Sequence, residues 1–141
     1  RVLIADDDPT MCAVCARALA AAGHQSFTAV EADAALEALR EHGPFDLLLA
    51  DVQMPGVSGL ELAQRAREID PALAVVIMTG HTSMETLHGA ARRGVADYLS
   101  KPFELEELQI VVDQALHKRH LLQDQLRMRA LEQLMRSSEA I

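Results

Sequence analysis

Blocks of apolar and polar residues alternate along the chain, and their lengths predict five strands and five helices. Short, almost wholly apolar runs at residues 2–5, 45–50 and 72–78 are typical of strands that are buried on both faces. Residues 24–30 and 95–100 are more mixed and predict strands that are partly exposed. The segments between the strands have apolar residues three and four positions apart, as amphipathic helices do. Strands and helices therefore alternate along the chain.

Gly, Pro and Asp residues predict where several of these elements begin and end. Asp8 and Pro9 follow the first strand as a helix cap and a first-turn proline. Gly23 and the pair Gly43-Pro44 end the first two helices. Turn residues then separate the third strand from the third helix: Pro55, Gly56, Ser58 and Gly59.

Alternating strands and helices predict an α/β fold with a parallel sheet. The three apolar strands belong in the middle of this sheet and the two mixed strands at its edges, because strands in the middle are covered on both faces. The expected fold is a doubly wound, flavodoxin-like sheet of five parallel strands in the spatial order 2-1-3-4-5. The ligand-binding switch point of such a sheet lies between strands one and three.

Polar side chains follow four of the predicted strands, and all of them belong to one edge of the sheet. They are Asp6, Asp7, Asp51, Thr79 and Lys101. Asp51 taken alone could merely cap a turn, but three carboxylates brought together repel and raise one another's pKa. A bound cation would relieve that repulsion, and clustered acidic oxygens suit Mg²⁺.

Composition narrows the class of protein. A length of 141 residues is enough for one ordinary domain, and a formal net charge of −8 argues against nucleic acid as a direct partner of this segment. No apolar run approaches the ~20 residues that span a membrane. Cys12 and Cys15 lie in an Ala-rich helical segment, where packed thiols are favoured over a redox or zinc pair. Unpaired cysteines suit a reducing cytoplasm.

Four motifs at strand ends make residues 1–117 similar to the receiver domain of bacterial response regulators, the phosphorylated half of two-component signalling. The motifs are LIADDDP at 3–9, LLADVQMPGVSG at 48–59, MTG at 78–80 and YLSKPF at 98–103. Each motif is modest alone, but their order and their positions at strand ends are specific. The resemblance implies that a partner histidine kinase phosphorylates the domain and that the domain then switches an output. Such a domain is a regulatory phosphoacceptor, which catalyses only its own phosphorylation and dephosphorylation.

The resemblance also implies a role for individual residues around the metal. Asp51 matches the phosphoryl acceptor of the family. Asp6 and Asp7 match the acidic pair that holds Mg²⁺ together with Asp51, and the backbone carbonyl of Gln53 matches a further ligand. Gln53 and His81 fall at positions whose side chains tune how fast the phosphoryl group is lost.

Three further residues match groups that respond to the phosphoryl group. Thr79 resembles the hydroxyl that hydrogen-bonds to it, and Lys101 resembles the ammonium that pairs with it. The bond between Lys101 and Pro102 resembles the cis peptide of the family. Tyr98 matches the aromatic switch that turns inward when Thr79 moves, although it could also be an ordinary half-buried tyrosine.

The strongest enzyme alternative is a haloacid-dehalogenase-like phosphohydrolase. The run Asp6-Asp7-Asp8-Pro9-Thr10 also satisfies its Asp-x-Asp-x-Thr pattern, with Asp6 as nucleophile and Asp8 as acid/base. Those enzymes also need an acidic pair in a loop after the lysine strand, and no such pair follows Lys101. The helix-cap interpretation of Asp8 fits its place before Pro9 better.

The last predicted helix is far longer than one domain needs, because it continues from Phe103 to about Arg136 without Gly or Pro. We expect residues 118–141 to form a helical linker toward an output domain. Alternating spacings of three and four predict a coiled-coil seam and a possible homodimer, with a frayed helix as the alternative. The seam residues are Leu105, Leu108, Val112, Ala115, Arg119, Leu122 and Leu126.

Overall fold

The computed structural model describes residues 1–80 and 84–139, with the backbone alone for 84–87 and 139. The described residues form five strands that alternate with five helices, as predicted. The strands are β1 (Val2–Ala5), β2 (Ser26–Ala29), β3 (Leu47–Asp51), β4 (Ala74–Thr79) and β5 (Asp97–Ser100). The helices are α1 (Pro9–Ala21), α2 (Ala32–His42), α3 (Gly59–Ile69), α4 (Met84–Arg92) and α5 (Leu105–Glu139).

The strands form one parallel sheet in the order β2-β1-β3-β4-β5. Every residue of β1, β3 and β4 is buried, whereas the edge strands β2 and β5 are partly exposed. This arrangement confirms the predicted flavodoxin-like order and the reason given for it. The carboxyl ends of β1, β3, β4 and β5 consequently meet at one edge of the sheet.

Alternate residues of the central strands build two hydrophobic layers, because successive side chains of a strand point to opposite faces. Leu3, Leu48 and Ile77 pack on one face against α2 and α3. Ile4 and Leu49 pack on the other face against α1 and α5. The second layer also contains Cys12 and Cys15, which are free, buried thiols as predicted.

The first half of α5 belongs to the core of the domain, which corrects the coiled-coil prediction. Leu108, Val112 and Ala115 are buried against the sheet and therefore cannot contact another chain. The polar residue in the predicted seam, Arg119, donates a hydrogen bond of 2.7 Å from Nε to the backbone carbonyl of Ala72. The prediction of one continuous inter-chain seam is therefore wrong, because core packing and coiled-coil packing produce the same spacing.

Beyond Arg119, helix α5 continues past the body of the domain. Leu122 and Leu126 are 57% and 56% exposed, and apolar side chains are exposed on its other faces as well. Among the described residues, no helix is long and apolar enough to cross a membrane.

Candidate functional site

The end of β1 presents two aspartates, one buried and one exposed. Asp6 is 1% exposed, and its Oδ1 accepts a hydrogen bond of 2.9 Å from the backbone N–H of Asp8. The side chain of Asp7 is exposed at the mouth of the site. Burial of a carboxylate is costly unless hydrogen bonds or opposite charges compensate it. The stability of the buried Asp6 carboxylate therefore depends on the groups that contact it, the Asp8 N–H and the Lys101 ammonium.

Asp8 caps α1, as its position before Pro9 predicted. Its Oδ1 accepts a hydrogen bond of 2.9 Å from the backbone N–H of Thr10. The carboxylate thus satisfies a backbone N–H group in the first turn of the helix. This geometry gives no support to the phosphohydrolase alternative, in which Asp8 would act as an acid/base.

The end of β3 places Asp51 beside Asp6, in the direction that the parallel sheet requires. Asp51 is 7% exposed, and its Oδ1 accepts a hydrogen bond of 3.1 Å from the backbone N–H of Gln53. The backbone on the far side of Asp51 stays paired with β4, since the N–H of Val52 donates to the carbonyl of Met78 at 2.9 Å. The Asp51 side chain is held at the edge of the sheet by the Gln53 N–H on Oδ1 and by the Lys101 ammonium near Oδ2.

Lys101 joins the two buried aspartates. Its Nζ lies 2.9 Å from Oδ2 of Asp6 and 3.2 Å from Oδ2 of Asp51. The backbone N–H of Lys101 donates to the carbonyl of Thr79 at 2.8 Å, which fixes the end of β5 against the end of β4. The peptide bond between Lys101 and Pro102 is cis, as the resemblance implied.

The remaining predicted residues that the structure describes are buried to different depths. Thr79 is buried at the end of β4. Tyr98 lies on β5 opposite Ile77, and it is 41% exposed. The side chain of Gln53 is exposed, and His81 lies outside the residues that the structure describes.

Burial and charge shift the pKa values of the central groups. Burial raises the pKa of Asp51, against the opposing effects of the Gln53 N–H and of Lys101. Burial lowers the pKa of Lys101, but its hydrogen bonds to Asp6 and Asp51 outweigh this effect, so the pKa is raised overall. Lys101 is therefore an ammonium at neutral pH and supplies the positive charge between two carboxylates.

The donor set fits a small divalent cation. One carboxylate oxygen each from Asp6, Asp7 and Asp51 lie within 4.8 Å of one another. Opposite ligands of an octahedral Mg²⁺ ion are about 4 Å apart, so small side-chain adjustments would suffice. Three carboxylates and the Lys101 ammonium leave two negative charges at the site when all are ionised. The site therefore matches Mg²⁺ in ligand type and in charge.

Gly59 makes a close contact with the site that the sequence did not predict, because it looks like an ordinary turn residue. A Cβ atom at Gly59 would lie 2.1 Å from the backbone oxygen of Asp51. The N–H of Gly59 also donates to the carbonyl of Val52 at 2.9 Å. The start of α3 thus packs directly on the backbone that carries Asp51, and no local signal in the sequence reveals this contact.

The fold and these polar groups define a class of protein, and comparison with known families identifies it. Residues 2–113 match the response regulator receiver domain family. The chain belongs to this family, whose members are regulatory phosphoacceptors. The predicted family is confirmed.

Individual relatives narrow the class further. The chain is 39% identical over 115 residues to the DNA-binding transcriptional regulator NtrC of Escherichia coli strain K12, covering 82% of this chain and 24% of that protein. The receiver domain of NtrX from Brucella abortus is 34% identical, with a TM-score of 0.77 over 83% of this chain and 98% of that domain. A CheY-like receiver domain protein from Methanospirillum hungatei is 27% identical, with a TM-score of 0.80 over 85% of this chain and 95% of its own. The chain is thus similar to the receiver domains of NtrC- and NtrX-type regulators, and it spans about a quarter of the length of NtrC.

Proposed function

We propose that Asp51 accepts a phosphoryl group from a partner sensor histidine kinase and that this modification controls an output. One observation carries the proposal: the Lys101 ammonium bridges Asp6 and Asp51, at 2.9 and 3.2 Å, within an acidic cluster of cation-binding size. A fold needs no such cluster, because grouped carboxylates destabilise it. A site for phosphoryl transfer needs both an acceptor oxygen and groups that neutralise charge.

The reaction transfers a phosphoryl group from a phosphohistidine of the kinase to a carboxylate oxygen of Asp51. The P–N bond of the donor breaks as a P–O bond forms, and the imidazole leaves with the electron pair of the P–N bond. Lys101, already 3.2 Å from Asp51 Oδ2, neutralises part of the charge on the arriving group. Thr79 lies at the end of the neighbouring strand β4, and its hydroxyl would donate a hydrogen bond to a phosphoryl oxygen of the product. The product is a mixed anhydride, which water cleaves, so the modification is a timed signal.

Mg²⁺ would be held by Asp6, Asp7 and Asp51, with the backbone carbonyl of Gln53 as a further ligand. The proximity of the three carboxylate oxygens and their residual negative charge support this assignment. When bound, the ion would neutralise negative charge on the transferred group. We assign the tuning of phosphoryl loss to Gln53 and His81 from the family resemblance.

The switch would link Thr79 to Tyr98. Movement of the buried Thr79 hydroxyl toward the phosphoryl group would open space for the Tyr98 ring, which is partly exposed on the neighbouring strand β5. Such a change between two packed states is a common form of switching. The surface around Tyr98 on β5 would then have a different shape in the phosphorylated and unphosphorylated domains.

The output lies beyond the receiver domain. We divide the chain into a receiver domain of residues 1–117 and a helical linker of residues 118–141, and the end of the family match at residue 113 supports this division. Because the NtrC relatives are DNA-binding transcriptional regulators, we infer that the linker leads to an output domain that controls transcription in the cytoplasm.

We also propose that the exposed part of α5 forms a homodimer. Leu121, Met128 and Met135 recur every seven residues, Leu131 lies between the last two, and all four are exposed. Asp124 occupies the equivalent position between the first two. This heptad spacing is that of a coiled-coil seam. The seam residues differ from those predicted from the sequence, three of which are buried in the domain core.

The test is phosphorylation of the chain by acetyl phosphate, monitored by intact mass. We expect one added phosphoryl group when Mg²⁺ is present and almost none after chelation of the metal. Asp7→Asn removes one charge from the exposed metal ligand and should raise the Mg²⁺ concentration required, whereas Asp8→Asn at the helix cap is the matched control. Phosphorylation that is unchanged by chelation would refute the assignment of the metal ligands. An Asp51→Asn variant that is phosphorylated as fast as the wild type would refute Asp51 as the acceptor.

A further inference from the structure

A groove lies at the edge of the sheet opposite Asp51, beneath the projecting part of α5. Its other walls are the segments that lead into β4 and β5, at residues 71–74 and 94–96. The groove has a volume of about 400 Å³, which is within the range of small-molecule sites. The phosphorylation chemistry does not use this groove, because the reacting groups all lie at the other ends of the strands.

Apolar side chains form the inner surface of the groove. Leu73 is buried at the base, beside Ala96 and Ala115. Leu122 and Leu126 cover it from α5, although more than half of each side chain is exposed. Exposed leucines on a concave apolar surface favour the binding of an apolar group, because its arrival removes them from water.

Positive charge surrounds this apolar surface. Arg67 donates hydrogen bonds from its guanidinium to the carbonyls of Gly94 and Pro71, neutral groups that leave its charge uncancelled. Lys118 is exposed at the rim. Arg119 forms an ion pair with Asp46, with 3.2 Å between Nη1 and Oδ1, so its charge is partly neutralised.

None of the described residues that line the groove is acidic, although the chain as a whole has a net charge of −8. The lining residues are Arg67, Pro71, Ala72, Leu73, Ala74, Gly94, Ala96, Ala115, Lys118, Arg119, Leu122, Gln123 and Leu126. A basic rim on an acidic protein is complementary to a negatively charged ligand.

We propose that this groove binds a soluble, amphipathic small anion, with a carboxylate or sulfonate on an aromatic or short aliphatic body. The body would lie against Ala96, Leu122 and Leu126, and the anionic group would face Lys118 and Arg67. Such a ligand would contact both the domain and α5, next to the hydrogen bond from Arg119 to Ala72.

The probe for this site is 8-anilinonaphthalene-1-sulfonate, which has an aromatic body, one sulfonate and a fluorescence that increases in apolar surroundings. We expect saturable binding of one probe per chain to the folded 141-residue protein. Raising the salt concentration from about 0.1 M to about 1 M should weaken this binding, because the screening length falls from about 10 Å to about 3 Å.

Two leucines of α5 provide a matched pair of variants. Leu122 lines the groove, whereas Leu134 lies further along the helix, does not line it and is exposed. Leu122→Gln should weaken probe binding about fourfold, the effect of losing one buried methylene contact, and Leu134→Gln should leave it unchanged. Lys118→Gln should weaken binding about twofold, as expected for an exposed ion pair, whereas Arg127→Gln on the exposed helix should not.

Several outcomes would overturn the proposal. One is the absence of saturable binding to a chain whose circular dichroism shows that it is folded. Another is an equal loss of binding in the Leu134 and Leu122 variants, which would place the probe on the exposed helix surface. A third is a probe signal that falls as protein concentration rises, together with dimers that Leu122→Gln dissociates in sedimentation. That result would identify the occupant of the groove as a second copy of the chain.

Discussion

Replacement of Gly59 by alanine tests whether the packing of α3 on β3 positions the reactive aspartate. The new Cβ would lie 2.1 Å from the Asp51 backbone oxygen, whereas real Cβ atoms essentially never approach closer than 3.0 Å. The two backbones must therefore separate by about 0.9 Å, the difference between these distances. Overpacking of this kind costs about 1–3 kcal/mol. For a domain of this size, each kcal/mol lowers the melting temperature by about 4 °C.

The same displacement should slow phosphorylation more than the loss of stability can explain. Asp51 is held 3.2 Å from Lys101, and a misplacement of about 1 Å in a reactive site can cost about 100-fold in rate. We therefore expect Gly59→Ala to react with acetyl phosphate on the order of tenfold to a hundredfold more slowly, at a temperature where it remains folded. The assays are thermal unfolding by circular dichroism and initial phosphorylation rates by intact mass.

Gly80→Ala is the matched control for Gly59→Ala. Gly80 directly follows Thr79, but a Cβ atom there would meet nothing within 4 Å. This variant should keep the stability of the wild type and most of its rate. If Gly59→Ala were as stable and as reactive as Gly80→Ala, the contact between α3 and the Asp51 backbone would not position the acceptor.

Further predictions concern the Lys101 ammonium, the Cys15 thiol, the helical linker and the Tyr98 switch. Lys101→Met removes the ammonium from between the buried carboxylates. It should lower the free energy of unfolding in urea by about 1–3 kcal/mol in the absence of metal, and Mg²⁺ should restore part of this loss. An unchanged unfolding midpoint would contradict this role of Lys101. Burial raises the pKa of Cys15 to about 11, so the stability from its neutral thiol is present below the pKa of the unfolded thiol and is lost as pH rises toward 11. Cys15→Ala should reduce that loss between pH 8 and 11 in urea titrations, and an identical pH slope would count against the assignment. A chain that ends at His117 should fold as a monomer that still accepts phosphate, whereas the longer chain should be dimeric by light scattering; a monomer at every concentration would exclude the proposed dimer. Fluoroberyllate with Mg²⁺ should protect Tyr98, the single tyrosine, from acrylamide quenching, and unchanged quenching would mean that its ring is not a switch.

The strand order and the position of the site could be predicted because both depend on simple rules. Strands buried on both faces must be apolar throughout, and this alone separates the central strands from the edge strands. Parallel strands place their carboxyl ends at one edge, so Asp6, Asp51 and Lys101 had to converge although 95 residues separate the first from the last. These predictions needed no knowledge of individual contacts.

Predictions that depend on individual contacts were less successful. Spacings of three and four residues describe any helix with one apolar face, so they could not distinguish the core residue Val112 from the exposed Leu122. Arg119 interrupts the apolar pattern because it binds the Ala72 carbonyl, a partner that only the tertiary structure supplies. Similarly, Gly59 could not be separated from the turn glycines, because its role arises from the approach of another backbone segment.

The most direct test of the account is to locate the phosphoryl group after the chain reacts with acetyl phosphate and Mg²⁺. Treatment with borohydride converts an acyl phosphate to an alcohol, which marks the modified aspartate for peptide mapping by mass spectrometry. We predict a single mark on Asp51, the carboxylate that shares Lys101 with Asp6. A mark on Asp6 would contradict the assignment of acceptor and metal ligand and would favour the phosphohydrolase arrangement instead.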